Sequence, residues 1–377
     1  MKFIKEIEHL EGVKVLVRVD FNVPIKNGIV TEDLRIRSAL GTIDFLTSKG
    51  AKVILISHIE VLDGEDNSLK PIAERLIDLG EKVDFIPNIR EAYDFIENHM
   101  KNGECILLEN LRKFDGEKTN EEKFAKELAS LGDIFVNEAF PACHREHASI
   151  VSVPKYLPSY AGLQLEKEIA NLSLAFNPAH PFLFILGGAK FETKLSLLER
   201  FITVADKIFI GGALANDFFK AKGYEIGHSV VSKGNFDLSP FIGNTKIMIP
   251  TDVMTEKGEY KALDGLDKDD KIVDIGPKTL ALLEAEVNIA KFVLWNGPLG
   301  IYEKGFDGPS IELAKTMANL SSSGATSIVG GGDTIATIES QNIQDKFTFL
   351  STGGGAMLEF LAKGSLPGID ALNNSDK

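Results

Sequence analysis

Cysteine is nearly absent from this chain, with two in 377 residues. Cys105 lies in an apolar run and Cys143 in a loop-like segment, so no disulfide framework is expected and both read as reduced thiols of a cytoplasmic protein. Long apolar runs are missing as well. No segment reaches ~18 consecutive apolar residues, which excludes an expected membrane-spanning helix. The opening MKFIKEIEHLEG lacks the apolar stretch and small-residue cleavage site of a signal peptide, again pointing to the cytoplasm. Positive charge is in deficit: 41 Lys and Arg against 55 Asp and Glu give a net charge of -14. Such a chain repels nucleic-acid backbone and anionic lipid, so neither is expected as a partner, and any phosphate must be bound by local basic clusters. Several reaction motifs are also missing. There is no GxxxxGK[ST] of Walker-type ATPases, and no HRD or DFG of protein kinases. There is no GxSxG elbow or Cys/His pairing for a covalent nucleophile. His144 and His147 stand three apart in HREH but no further ligand set accompanies them, so no metal site is expected there.

What is present is a doubly repeated pattern. A single core stops growing at roughly 250–300 residues, so this length asks for two domains. Short apolar, β-branched runs fall at 13–19, 52–57, 82–86, 104–109 and 133–137, and again at 182–186, 206–210, 246–250, 291–295 and 326–329. Runs without alternation predict strands buried on both faces, hence parallel sheets. Stretches such as 35–48, 120–131, 192–203 and 308–320 carry helical periodicity. The expected fold is α/β, with two doubly wound parallel-sheet, Rossmann-like domains. The expected division is 1–158, a joining helix within 159–178, 179–355, and a tail 356–377 that returns to helix before a frayed, polar NNSDK.

Ligands of open parallel sheets bind beyond the carboxyl ends of the strands. In the first half those positions hold Asp20 and Asn22, His58, Asn110 and Arg112, then His144 and Arg145, with Arg35 opening the first helix. Several arginines on one rim of an acidic protein predict a small, multiply charged anion such as a phosphorylated carboxylic acid. In the second half the same positions hold glycine. Gly187-Gly188-Ala189-Lys190 is followed by Lys194. Gly211-Gly212, Asn296-Gly297-Pro298, Gly330-Gly331-Gly332-Asp333-Thr334 and Gly353-Gly354-Gly355 follow in turn. Glycine between a strand and a helix lets backbone N–H groups approach phosphate, so this rim predicts a nucleotide site. Together the rims suggest phosphoryl transfer, with Arg35, Lys190 and Lys194 as charge stabilisers and Asp333 as the Mg2+ ligand.

RVDFNVP (18–24), the ISH ending at His58, LLENLR (107–112), CHREHAS (143–149), LGGAK (186–190), IGPKT (275–279), WNGP (295–298), GGGDT (330–334) and STGGGA (351–356) together resemble the signatures of the phosphoglycerate kinase family, in order and over nearly the whole chain. The resemblance implies a 3-phosphoglycerate site of Asp20, Asn22, Arg35, His58, Arg112 and Arg145. It implies that Lys190 and Lys194 attend the moving phosphoryl group and the nucleotide phosphates. It also implies a nucleotide site of Gly188, Gly212, Asn296, Pro298, Glu303, Gly332, Asp333 and Thr334, with Glu303 at the ribose and Asp333 at the metal. The family reaction converts 1,3-bisphosphoglycerate and MgADP to 3-phosphoglycerate and MgATP, with a hinge between the domains and a C-terminal segment, here 356–377, that returns to the first domain, and a monomer is expected. Three elements depart from the family pattern. Glu60-Val61-Leu62 stands where Gly-Arg-Pro is usual, so one substrate arginine is absent and Lys113 is the nearest basic replacement. Pro141-Ala142 replaces Gly-Thr, and Thr193 replaces an aspartate. An active kinase is the main expectation, and a nucleotide-binding relative with a regulatory role is the alternative.

Overall fold

The computed structural model describes residues 1–60, 67–234 and 236–375. The chain divides into two compact units, one of residues 1–170 with 363–377 and one of residues 171–362.

The first unit is built on six parallel strands. Across the sheet they run Val83–Ile86, Cys105–Leu108, Lys52–Ile56, Lys14–Arg18, Ile134–Asn137 and Ser159–Ala161. Both side-chain parities are buried, as the unalternating apolar runs require. Val15, Val17, Val53 and Leu55 share a core with Ile36 and Ile43 of helix Leu34–Ser48 and with Ile72 and Leu76 of helix Lys70–Asp78. Leu16, Ile54, Ile56, Ile106 and Phe135 are buried on the other face. The chain winds outward from Lys14–Arg18 in one direction and returns to its other side at Ile134–Asn137, which makes the edge between these two strands the topological switch point.

The second unit repeats the scheme, in the order Ile247–Met248, Lys207–Ile210, Phe182–Leu186, Phe292–Asn296, Thr326–Gly330 and Phe349–Ser351, all parallel. Its switch point lies between Phe182–Leu186 and Phe292–Asn296. Leu183, Ile185, Val293 and Trp295 pack on Leu283 and Val287 of helix Pro277–Ile289 and on Leu313 and Met317 of helix Gly308–Ser322. Phe184 fills the opposite face, with its ring centre 4.9 Å from that of Phe201. A small antiparallel sheet of Asp252–Thr255, Tyr260–Ala262 and Ile272–Ile275 was not expected, because its strands are only three or four residues long and carry little periodic signal.

Two expectations need correction. The segment 159–176 is not one helix: Ser159–Ala161 pairs as an edge strand, the helix is Leu163–Ser173, and a 3-10 turn Leu174–Phe176 follows. The buried Glu138 carboxylate fixes this start by accepting the N–H groups of Gln164 and Leu165 and a hydrogen bond from the Thr42 hydroxyl. Those first-turn donors have no partner inside the helix. Of the NNSDK stretch expected to fray, Asn373 and Asn374 close a helix, and Asp376 and Lys377 lie outside the described residues. Helix Pro367–Asn374 buries Ile369 and Leu372 in the first unit, and Gly368 donates its N–H to the Cys143 carbonyl at 2.8 Å. Among the described residues no helix is long and apolar enough to cross a membrane.

Phe184→Ala should cost about 3–5 kcal/mol of stability, because a fully buried ring in a close-packed layer leaves a cavity that its neighbours refill only in part. Urea unfolding monitored by the fluorescence of Trp295, whose indole sits in the same unit, measures it.

Candidate active site

At the carboxyl edge of the first sheet, basic side chains gather around His58. Arg18 ends the strand Lys14–Arg18 and is fully buried. Its Nε donates to Ser149 Oγ at 2.8 Å and its Nη2 lies 3.0 Å from His58 Nδ1. Arg145 Nη1 stands 3.4 Å from the other ring nitrogen of His58. Burial, and then the charges of Arg18, Arg112 and Arg145, hold His58 well below the usual histidine range, so it is neutral at physiological pH. The same causes, burial first and then Arg112 and Arg145, bring His147 to about 4. Its ring lies 3.4 Å from Arg112 Nη1. Arg35 Nη1 is 3.0 Å from Asp20 Oδ2 and donates to the Asn22 carbonyl at 2.9 Å, which ties the first helix to the loop after the first strand. The buried Glu117 carboxylate answers from beneath through Ser149, accepting its N–H at 3.0 Å and its hydroxyl at 2.7 Å.

All six expected anion-site residues, Asp20, Asn22, Arg35, His58, Arg112 and Arg145, are joined on one sheet edge through direct contacts, His58 lying 3.9 Å from Asp20, or through Glu60, which touches Asn22, Arg112 and Arg145. Sequence reading missed Arg18, His147 and Glu117. Arg18 carried a signal, since an arginine inside an apolar strand needs a buried purpose. Lys113 is not part of this cluster, because its Nζ donates to Glu109 Oε2 at 2.9 Å. Pro141-Ala142 lies in the 3-10 turn Phe140–Ala142, and the Ala142 carbonyl accepts the N–H of Arg145 at 3.0 Å, so this departure shapes the turn that delivers the arginine. Val61 lies outside the described residues.

In the second unit the switch point opens into a cavity of about 550 Å3. Gly187 donates its N–H to the Asn296 carbonyl and Gly188 to that of Pro298, at 2.8 and 2.9 Å, so the two glycine turns are stitched across the switch. Gly188 has φ +84°, and a Cβ on it would press on Lys194 Nζ. Lys194 is buried and donates to the Gly187 carbonyl. Burial pulls its pKa down to about 8, against the opposing charge of Asp333. Lys190 is exposed at the cavity mouth, and Thr193 closes the turn between the lysines by donating to the Lys190 carbonyl at 3.0 Å. Of the expected nucleotide residues, Gly188, Lys190, Lys194, Gly212, Asn296, Pro298, Glu303, Gly331, Asp333 and Gly354 line the cavity. Gly211, Gly330, Gly332, Thr334 and Gly353 adjoin those residues in the chain without lining it. Its apolar floor of Phe219, Val230, Pro250 and Ile272 was not foreseen, because those side chains come from four separate segments. Asp274 also lines it, and burial raises its carboxyl to about 8.

A basic anion rim on one doubly wound unit and an apolar cavity ringed by glycine turns and lysines on the other define a two-domain α/β phosphotransferase. The phosphoglycerate kinase family model matches residues 4–364. A relative from Dictyoglomus turgidum named phosphoglycerate kinase is 44% identical, with 97% of each chain covered. One of the same name from Thermosipho africanus is 43% identical, covering 99% of this chain and 98% of its own. Among solved structures, the phosphoglycerate kinase of Coxiella burnetii superposes with a TM-score of 0.85 at 35% identity over 99% of both chains. That of Pyrococcus horikoshii gives 0.87 at 31%, over 100% of this chain and 99% of its own. The chain belongs to the phosphoglycerate kinase family.

The low pKa of Lys194 has a measurable sign. Between about 8 and the ordinary 10.5 the unfolded chain holds this proton and the folded chain does not, so this group makes the ligand-free protein more stable as pH rises through that window. A phosphate bound beside Lys194 would favour the ammonium form. MgADP binding at pH 8.5 should therefore take up a sizeable fraction of a proton, seen by calorimetry in buffers of different ionisation enthalpy, and Lys194→Met should abolish the uptake.

Proposed function

We propose that this chain catalyses the reversible transfer of a phosphoryl group from 1,3-bisphosphoglycerate to MgADP, giving 3-phosphoglycerate and MgATP, as a step of glycolysis and gluconeogenesis. The observation that carries this reading is the pairing, on a chain matched to the family over nearly its full length, of an arginine-rich anion rim with a glycine-turned cavity holding two lysines. We read it as a cytoplasmic monomer.

In this reading Arg145, Arg112, Arg35, His58, Asp20 and Asn22 hold the acid. The arginines supply charge-assisted, directional hydrogen bonds, and neutral His58 supplies a hydrogen bond without added charge. The nucleotide rests on the apolar floor, its phosphates lying against the turns at Gly188, Gly212 and Gly331 and the start of helix Gly332–Ser340, where N–H groups and the helix dipole favour anions. Glu303, exposed at the cavity edge, reaches the ribose. Asp333 would offer one carboxylate to a Mg2+ ion carried by the nucleotide phosphates, an ion that takes most of its ligands from phosphate and water and would neutralise phosphate charge there. A phosphate oxygen of ADP attacks the acyl phosphorus and the carboxylate departs. The attacking oxygen is already ionised and the carboxylate leaves as an anion, so no proton moves and no general base is needed; the barrier is lowered by alignment and by charge on Arg35, Lys190 and Lys194.

A coupled assay with 3-phosphoglycerate and MgATP should register turnover, and its absence under saturating substrates overturns the proposal. Lys190→Ala should reduce kcat by roughly 10^2-fold or more through lost transition-state charge neutralisation. Its melting temperature should stay near that of the parent, since the side chain is exposed. Asp333→Ala should leave binding of metal-free ADP largely intact and weaken MgADP, which titration calorimetry separates.

A further inference from the structure

The basic rim of the first unit already holds a carboxylate of its own. Glu60 Oε1 lies 2.9 Å from Arg145 Nη1, 3.7 Å from Arg112 Nη2 and 4.0 Å from His58 Nε2. These are three of the side chains assigned above to the acid. The backbone N–H of Glu60 donates to Asn22 Oδ1 at 3.0 Å, so the residue is tied into the site at its root. Burial alone would push the Glu60 carboxyl up, yet the hydrogen bond from Arg145 and the charges of Arg112, Arg145 and Lys118 bring it below the ordinary range. It is thus a full anion at physiological pH. The partners are unequal in freedom: the Arg112 side chain is 2% exposed and fixed, whereas that of Glu60 is 48% exposed and can turn outward into water.

We propose that Glu60 is a tethered competitor and a specificity-determining residue. Its carboxylate occupies the anion subsite made by Arg145, Arg112 and His58, and an incoming phosphorylated acid must displace it. The proposal rests on the reading of this rim as the acid site. A tethered group competes at a high effective concentration, which a free ligand must exceed by making stronger bonds. A single carboxylate offers no more charge than the group it would replace, so monoanionic acids are held off. A phosphate dianion brings more charge and more acceptor oxygens to the same guanidiniums and displaces Glu60. The site therefore gives up affinity for every anion, and multiply charged acids lose least.

The test uses Glu60→Gln and Glu60→Ala in the full chain, each first checked for an unchanged melting temperature. The KM for 3-phosphoglycerate should fall roughly tenfold in Glu60→Gln and further in Glu60→Ala, in line with loss of one charge-assisted hydrogen bond to the competitor. The KM for MgATP should not move. An unchanged or raised KM for the acid overturns the proposal, a rise showing that Glu60 instead positions the arginines. If neither parent nor variant turns over, the proposed reaction fails, and the competitor is judged separately with inorganic phosphate by calorimetry. Tighter phosphate binding by Glu60→Gln than by the parent upholds it, and equal binding overturns it.

Discussion

Parallel pairing sends every strand of a sheet to its end on the same edge, and both units depend on that constraint. A residue that follows a strand is carried to the ligand edge whatever its place in the chain. Asp20, His58, Arg112 and Arg145 are separated by tens of residues, yet the register of the strands at Lys14–Arg18, Lys52–Ile56, Cys105–Leu108 and Ile134–Asn137 aligns the segments that hold them. In the second unit the same rule brings Gly188, Gly212, Pro298 and Gly331 around one opening. The switch point then leaves a gap between outward-winding halves of each sheet, and the gap is where a ligand enters.

The two rims meet the problem of binding anions to an acidic protein by different means. The first concentrates guanidinium groups and suppresses the protonation of His58 and His147 so that they add no further repulsion. It offsets the buried Arg18 with the charges of Glu117 and Asp20. Such balancing is needed because an unpaired charge out of water is costly. The second rim uses backbone dipoles, which carry no net charge and need no counter-ion, and adds two lysines of contrasting character. Lys194 is buried with a depressed pKa, and Lys190 is exposed.

The strands were legible because buried parallel strands leave unbroken apolar runs, and the rim residues were legible because they follow those runs directly. Ser159–Ala161 was misread because three residues ahead of a strongly helical stretch carry no period of their own, and the helix start is set by Glu138, a residue distant in sequence. Arg18 was visible in its motif, but its purpose was not, since Ser149 and His58 are 131 and 40 residues away from it.

The sequence by itself determined the class of fold, the two batches of strands, the two kinds of rim and the family, because each is written in local composition, period and motif order. The tertiary structure alone decided which charges touch. It turned Glu60 from a nearby departure into an anion held by Arg145, turned Lys113 away to Glu109, and gathered the cavity floor from four segments. Contacts of a few ångströms depend on strand register, helix docking and rotamer together, and no stretch of chain carries that information alone.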